Sequence, residues 1–354
     1  MRWTVVWVLG LVLGVSCARP AAPLVAERAP DPPRAPFQPI SFPRDEAPHD
    51  NLTEWWYYTG HLFTEAGARY GFEFVIFQAV RGRYPVAYAA HLAVTDPARG
   101  RFWYDQRAQL GSQIGKQDGI ELTVGGWTLR GALGEDTITA RGAEYGLDLR
   151  LVATKPPVLH GGSGYLSFGP VGDSYYYSRT RLAVEGTLYV EDTAHAVRGQ
   201  AWMDHQWGDF LVVGGWDWFS VQLDDGTELM LFLTRSPEGM PALTMGTFVA
   251  GDGTASELPG DAFAVTPLGT WTSPHTGAVY PSGWHITVPA LDLALELVPT
   301  LLDQELQTFS TTGQAYWEGQ VTAQGRRGDT PLTGLGYVEL TGYARPRTPP
   351  SPGP

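Results

Sequence analysis

Tyr70-Gly71-Phe72-Glu73-Phe74-Val75-Ile76-Phe77-Gln78 decides the fold. Aromatic and β-branched side chains fill this stretch, and such residues favour the pleated surface of a strand over the crowded side of a helix. Outward from it, Leu147-Asp148-Leu149-Arg150-Leu151 alternates apolar and polar at period two, as does Leu291-Asp292-Leu293-Ala294-Leu295-Glu296-Leu297. Turn signals such as Asp224-Asp225-Gly226 and Gly251-Asp252-Gly253 separate these runs, as hairpins require. The 43 glycines penalise long helices, and no stretch offers a long, capped amphipathic helix. The expected fold class is all-β.

An internal repeat extends this reading. Trp56-Tyr57-Tyr58-Thr59-Gly60-His61-Leu62 aligns with Asp217-Trp218-Phe219-Ser220-Val221-Gln222-Leu223. Further on, LDLRLVAT (147–154) aligns with LALELVPT (293–300), and GQAWMD (199–204) with GLGYVE (334–339). The order is the same in both halves, which predicts two similar antiparallel β-barrel domains in tandem, at 50–208 and 209–343.

Composition bounds the function. With 17% charged and 43% hydrophobic residues the 354-residue chain is not a disordered protein. A net charge of −13 argues against a nucleic-acid partner, because phosphate binding needs a basic surface. One cysteine leaves no disulfide framework and no cysteine-rich zinc site. That cysteine closes Leu13-Gly14-Val15-Ser16-Cys17 after a short apolar run with Arg2 ahead of it. The run suits a signal peptide over 1–16 and is too short to span a bilayer. Its end resembles the lipobox of bacterial lipoproteins, although Gly14 stands where leucine is usual. The resemblance implies lipidation of Cys17 and an exported protein, anchored in a membrane and facing the periplasm or the cell exterior. Residues 17–49 are proline-rich and read as a spacer; the proline-rich 344–354 reads as a disordered tail.

Seven motifs then occur in order: Glu54-Trp55-Trp56-Tyr57-Tyr58-Thr59-Gly60, Ala90-His91-Leu92-Ala93-Val94-Thr95-Asp96, Tyr177-Ser178-Arg179-Thr180-Arg181, Ala201-Trp202-Met203-Asp204-His205-Gln206-Trp207-Gly208, Gly215-Trp216-Asp217-Trp218, Tyr316-Trp317-Glu318-Gly319, and Gly336-Tyr337-Val338-Glu339-Leu340-Thr341-Gly342-Tyr343. In these the chain resembles the lipocalin-like family of AttH proteins and hydroxyneurosporene synthase (carotenoid 1,2-hydratase). The resemblance implies two calycin-type barrels and a hydrophobic ligand, an isoprenoid, polyene or lipid, held in a barrel cavity. It implies an association with ABC transporters and no cofactor. Two functions follow: a membrane-anchored carrier of that ligand, or a lyase that hydrates or cyclises its double bond by acid catalysis.

Hydrating an alkene needs a proton donor, a positioned water and a wall that stabilises a carbocation. Asp204-His205-Gln206-Trp207 offers such groups, with Asp204 and Gln206 on one strand face and His205 and Trp207 on the other. His205 and Trp207 are expected to face the cavity, with Asp204 as acid or orienting group; the resemblance implies the same His and Trp. It also implies a Tyr and an Asp one strand later, where this chain has Leu229-Met230-Leu231-Phe232-Leu233-Thr234. Trp55, Tyr57, His91, Trp216, Trp218 and Trp317 are candidate ligand contacts. Glu54 is expected to pair with Arg179 or Arg181, and Glu305, Glu318 and Glu339 are weaker acid candidates. His91, His160, His205 and His285 show no ligand spacing, so no metal is expected. His160-Gly161-Gly162-Ser163-Gly164 is followed by Tyr165 rather than glycine, which argues against a serine hydrolase.

Overall fold

The computed structural model describes residues 37–112, 118–169, 172–210 and 214–344. The expected signal segment, Cys17, the spacer up to residue 36 and the tail from 345 lie outside them. Among the described residues there is no α-helix; single-turn 3-10 helices lie at Arg44–Glu46 and Pro289–Leu291. The first sheet is formed by β1 (Thr53–Thr64), β2 (Arg69–Ala79), β3 (Val86–Asp96), β4 (Arg101–Gly111), β5 (Ile120–Val124), β6 (Trp127–Ala132), β7 (Glu135–Arg141), β8 (Tyr145–Ala153), β9 (Val158–Leu159), β10 (Tyr165–Ser167), β11 (Asp173–Val190) and β12 (Thr193–Gly208). The second is formed by β13 (Gly215–Leu223), β14 (Glu228–Arg235), β15 (Pro241–Val249), β16 (Ala255–Pro259), β17 (Ala264–Thr272), β18 (Val279–Val288), β19 (Leu293–Pro299), β20 (Glu305–Gln307), β21 (Ala315–Arg327) and β22 (Thr330–Leu340).

Both sheets are antiparallel and share one strand plan. The first runs β4-β3-β2-β1-β12-β11-β8-β7-β6-β5, and the second runs β16-β15-β14-β13-β22-β21-β19-β18-β17. The repeated segments therefore fall on equivalent strands: β1 with β13, β8 with β19, β12 with β22. In the first sheet β5 comes back against β3 and β4, which curls the sheet toward a barrel. The turn signals hold: Gly226 and Gly253 take φ of 81° and 89° in the hairpins after β13 and β15, values glycine adopts without steric cost.

Each sheet wraps its own core. Trp56, Tyr58, Phe72, Phe74, Tyr177 and Trp207 fill the first, and Phe219, Trp284, Leu295 and Trp317 fill the second. A third cluster, including Tyr57, Val75, Tyr176, Trp202, Trp218 and Phe232, lies where the outer faces of the two sheets meet. Alternation along β1 makes this possible, since Trp56 and Tyr58 turn into the barrel while Trp55 and Tyr57 turn toward the other sheet.

Polar ties lock the sheets together. Glu228 on β14 receives Lys155 Nζ at 2.7 Å and Arg181 Nε at 2.6 Å, and His61 Nε2 lies 3.0 Å from the Gly336 carbonyl. Residues 38–49, expected as the end of a spacer, instead pack on the first sheet. Asp45 and Glu46 are buried, Trp56 Nε1 donates to the Glu46 carbonyl at 3.0 Å, and the Glu46 carboxylate pairs with buried Arg179. This partner, rather than Glu54, is the one Arg179 takes. Removing Arg179 strands the Glu46 charge, so Arg179→Met should lower unfolding free energy by about 3–5 kcal/mol, read from urea denaturation.

Candidate functional site

The cavity with chemistry in it lies between the sheets, not inside either barrel. An inner chamber of about 30 Å³ is bounded by Trp55, Tyr57, Val75, Phe77, Tyr176, Asp204, Gln206, Trp216, Trp218, Phe232 and Glu339. It shares Trp55, Phe77, Gln206, Trp216 and Phe232 with an adjoining cavity of about 270 Å³, whose wall also includes Tyr88, Phe168, Phe210, Arg81 and Gln314. Two larger concavities, of about 540 and 560 Å³, are open surface furrows away from these aromatic walls.

Repeat-equivalent residues build the chamber from both sides. Tyr57 stands opposite Asp204 in the β1–β12 register, and Trp218 stands opposite Glu339 in the β13–β22 register. Trp55 and Trp216 stack at 6.3 Å and 15°, and Tyr57 meets Trp218 edge-on at 5.2 Å. The chamber thus receives one carboxyl from each sheet.

The two carboxyls have different surroundings. Asp204 accepts from Tyr176 Oη at 2.5 Å, from Trp202 Nε1 at 2.6 Å and from Ser178 Oγ. Tyr176 in turn accepts from Trp218 Nε1 at 3.0 Å, and His160 lies 2.6 Å from Ser178 Oγ and 2.8 Å from Thr247 Oγ1. Burial raises the Asp204 pKa to about 6, against the pull of these three donors. Among the described residues Glu339 accepts a single hydrogen bond, from Trp216 Nε1 at 2.6 Å. Burial and the nearby Asp204 charge raise its pKa to about 7, while Trp216 opposes them. Although Glu339 lies deep in the protein, it keeps some open surface, as befits a group on a chamber wall.

Behind Tyr57 lie two further carboxyls. Tyr57 Oη donates to Glu318 Oε1 at 2.7 Å; Glu318 Oε2 and both oxygens of Glu73 are buried with no partner among the described residues. Burial first, and mutual repulsion with Glu339 second, hold both pKa values well above the ordinary carboxylate range.

The sequence candidates separate accordingly. Asp204, Trp55, Tyr57, Trp216 and Trp218 meet at the chamber. His205 and Trp207, expected to face a cavity in the barrel, turn into the interior of the first barrel, away from this chamber. The register places His205 opposite Trp56, and both residues turn into the packed first barrel. There His205 Nε2 lies 2.8 Å from Glu54 Oε1, and His49 stacks on Trp207 at 4.1 Å. Glu54 therefore pairs with histidines rather than with Arg179 or Arg181. Trp317 also leaves the site: its indole lies over Gly319 in the second core, where an added Cβ would come within 1.8 Å of the ring. His91 bridges Tyr316 Oη at 2.7 Å and Thr311 Oγ1 at 2.9 Å, behind Phe77. Glu305 is fully engaged by Ser273, Thr276 and Tyr280. Tyr176 and Phe232 were missed, and only the repeat could have promoted Glu339, as the partner of Asp204.

Paired barrel-like sheets with a carboxyl-bearing aromatic cleft between them define a two-sheet, lipocalin-like class of protein. The AttH-like family profile matches residues 33–343, and the chain belongs to that family. The crystal structure of an AttH from Nitrosomonas europaea is similar with a TM-score of 0.78 and 30% identity, covering 87% of this chain and 98% of that one. Kievitone hydratase from Nectria haematococca is similar in fold with a TM-score of 0.69 at 19% identity, covering 85% and 92%. No curated protein matches the sequence.

Proposed function

We propose that the protein is a lyase that adds water across a carbon–carbon double bond of a hydrophobic ligand, an isoprenoid or polyene, in the chamber between the sheets. The observation that carries this reading is the pair Asp204 and Glu339, two repeat-equivalent carboxyls opening into one aromatic-walled space. Glu339, with a single donor, is the acid: its proton goes to the alkene carbon that leaves the more substituted cation. The faces of Trp55, Trp216 and Trp218 stabilise that cation through their quadrupoles. A water attacks the cation and passes its proton to Asp204, which three donors hold as an acceptor. The inner chamber has room for roughly one or two waters, and the adjoining cavity takes the rest of the ligand.

The fold of kievitone hydratase supports a hydration scaffold, and the family supports the greasy ligand. The carrier reading is favoured by the apolar lining of the outer cavity and makes a different prediction. Incubation of the purified chain with acyclic carotenoids and prenylated phenols should yield products heavier by one water, by mass spectrometry. Retention of ligand with no product across that panel would favour the carrier and defeat the enzyme. Trp216→Phe keeps an aromatic face but removes the N–H that stabilises ionised Glu339, so the alkaline limb of the activity profile should move to higher pH.

We also propose that Cys17 carries a lipid anchor that holds the enzyme at a membrane, near such ligands. Radioactive palmitate should label the wild-type chain and not Cys17→Ser; absence of label in a bacterial host would remove the anchor.

A further inference from the structure

The opposite face of β1 and β12 carries a second cluster that the hydration chemistry does not use. His49 precedes β1, Glu54 lies near its start, and His205 comes from β12. His49 Nδ1 and His205 Nε2 lie 2.7 and 2.8 Å from the same oxygen, Glu54 Oε1, and the three atoms all fall within 4.8 Å of one another. The glutamate and His205 side chains are fully buried, whereas His49 retains 19% exposure.

The surrounding groups fix these three in place. His49 stacks on Trp207 at 4.1 Å and 2°, and His205 stacks on Trp56 at 4.7 Å and 26°. The far oxygen of Glu54 accepts from Gln78 Nε2 at 3.0 Å and from the His49 backbone N–H at 2.8 Å. Behind the imidazoles, Tyr177 Oη lies 3.3 Å from His205 Nδ1, and Asp45 Oδ1 lies 3.6 Å from His49 Nε2. Metal-binding histidines and carboxylates characteristically have such partners on their remote atoms, which set ring tautomer and orientation.

We propose that His49, Glu54 and His205 bind one divalent transition-metal ion of the zinc class. Two imidazole nitrogens and one carboxylate oxygen suit that class, whereas calcium and magnesium call for a set of oxygens that this cluster lacks. Binding replaces the N–H groups that the imidazoles otherwise direct at Glu54 Oε1 with three bonds to one ion; each ring then carries its proton on the remote nitrogen, His49 Nε2 toward Asp45 and His205 Nδ1 toward Tyr177 Oη, and only the surplus proton of an imidazolium leaves to solvent. Three protein ligands leave one tetrahedral position open on the His49 side, the exposed side, for a water. The ion clips the segment bearing His49 to the barrel wall. It faces away from the chamber, takes no part in the proposed hydration, and is tested without any organic substrate.

The test uses the full chain, stripped with a chelator and titrated with Zn²⁺ and, for absorption, Co²⁺. The expected result is one equivalent of metal per chain, visible bands of tetrahedral Co²⁺ and a higher thermal midpoint with Zn²⁺. His49→Gln should weaken binding at least 100-fold and abolish the bands. His275→Gln, which breaks the exposed His275–Asp303 pair, should leave both unchanged. Glu54→Gln provides a second ligand variant, with circular dichroism of each variant confirming the fold. Absence of stoichiometric binding by the wild-type chain, or binding that survives His49→Gln, would overturn the site.

Discussion

Glu339→Gln should reduce turnover by about 10²–10⁴-fold, the range general acids contribute, while leaving ligand affinity and the fold intact. Glutamine is close to isosteric and its amide oxygen can still accept from Trp216 Nε1, so the stacked wall persists. It cannot deliver a proton to carbon. The pH profile of the wild type provides a separate check. The acid works protonated, and its pKa is raised to about 7 by burial. Activity should therefore fall as pH rises through that value, tenfold per unit well beyond it. Initial rates of both proteins between pH 5 and 9 measure the two effects together. A variant as active as wild type would remove Glu339 from the chemistry.

Replacing Glu73 should stabilise the protein above neutral pH. Both oxygens of Glu73 are buried with no partner among the described residues, and its pKa lies well above that of an exposed glutamate. A carboxyl with a raised folded pKa contributes stability that is fully present below the unfolded pKa, about 4.5. That contribution is lost as pH rises from there through the folded value. The wild-type fold should therefore weaken from mildly acidic pH upward. The second sheet shows the remedy. Glu73 stands opposite Thr59, as Met230 stands opposite Ser220, so methionine occupies the repeat-equivalent position. Glu73→Met should raise unfolding free energy at pH 8 by on the order of 2 kcal/mol or more, because no charge then needs to be desolvated. The gain should shrink at pH 5. Urea denaturation at both pH values decides this, and equal gains at the two would show that ionisation of Glu73 is not the cause.

Much of the fold was legible because its signals are local. Period-two runs such as Leu147–Leu151 and turns such as Asp224-Asp225-Gly226 need only neighbouring residues. The repeat was legible because both sheets keep the same strand plan, down to Tyr57 opposite Asp204 and Trp218 opposite Glu339. The site was harder to read for a physical reason. Near its C-terminal end β12 is buried on both faces, one against the barrel interior and the other against the second sheet. Alternation separated Asp204 from His205, but polarity could not show which face met a cavity. Aromatic residues line both. His49 was missed because its segment reads as proline-rich spacer, and only packing against Trp207 brings it to Glu54. Glu73 and Glu318 were equally opaque, since unpaired buried carboxyls defy the ordinary expectation that such residues are solvated or paired.

The location of the site can be settled by crystallising the Glu339→Gln variant with an acyclic polyprenyl alkene that it cannot turn over. The double bond is expected in the chamber between the sheets, against residue 339 and the faces of Trp216 and Trp218, with the chain running out past Phe77 and Phe232. A ligand lodged instead within the first barrel, beside His205 and Trp207, would contradict this placement.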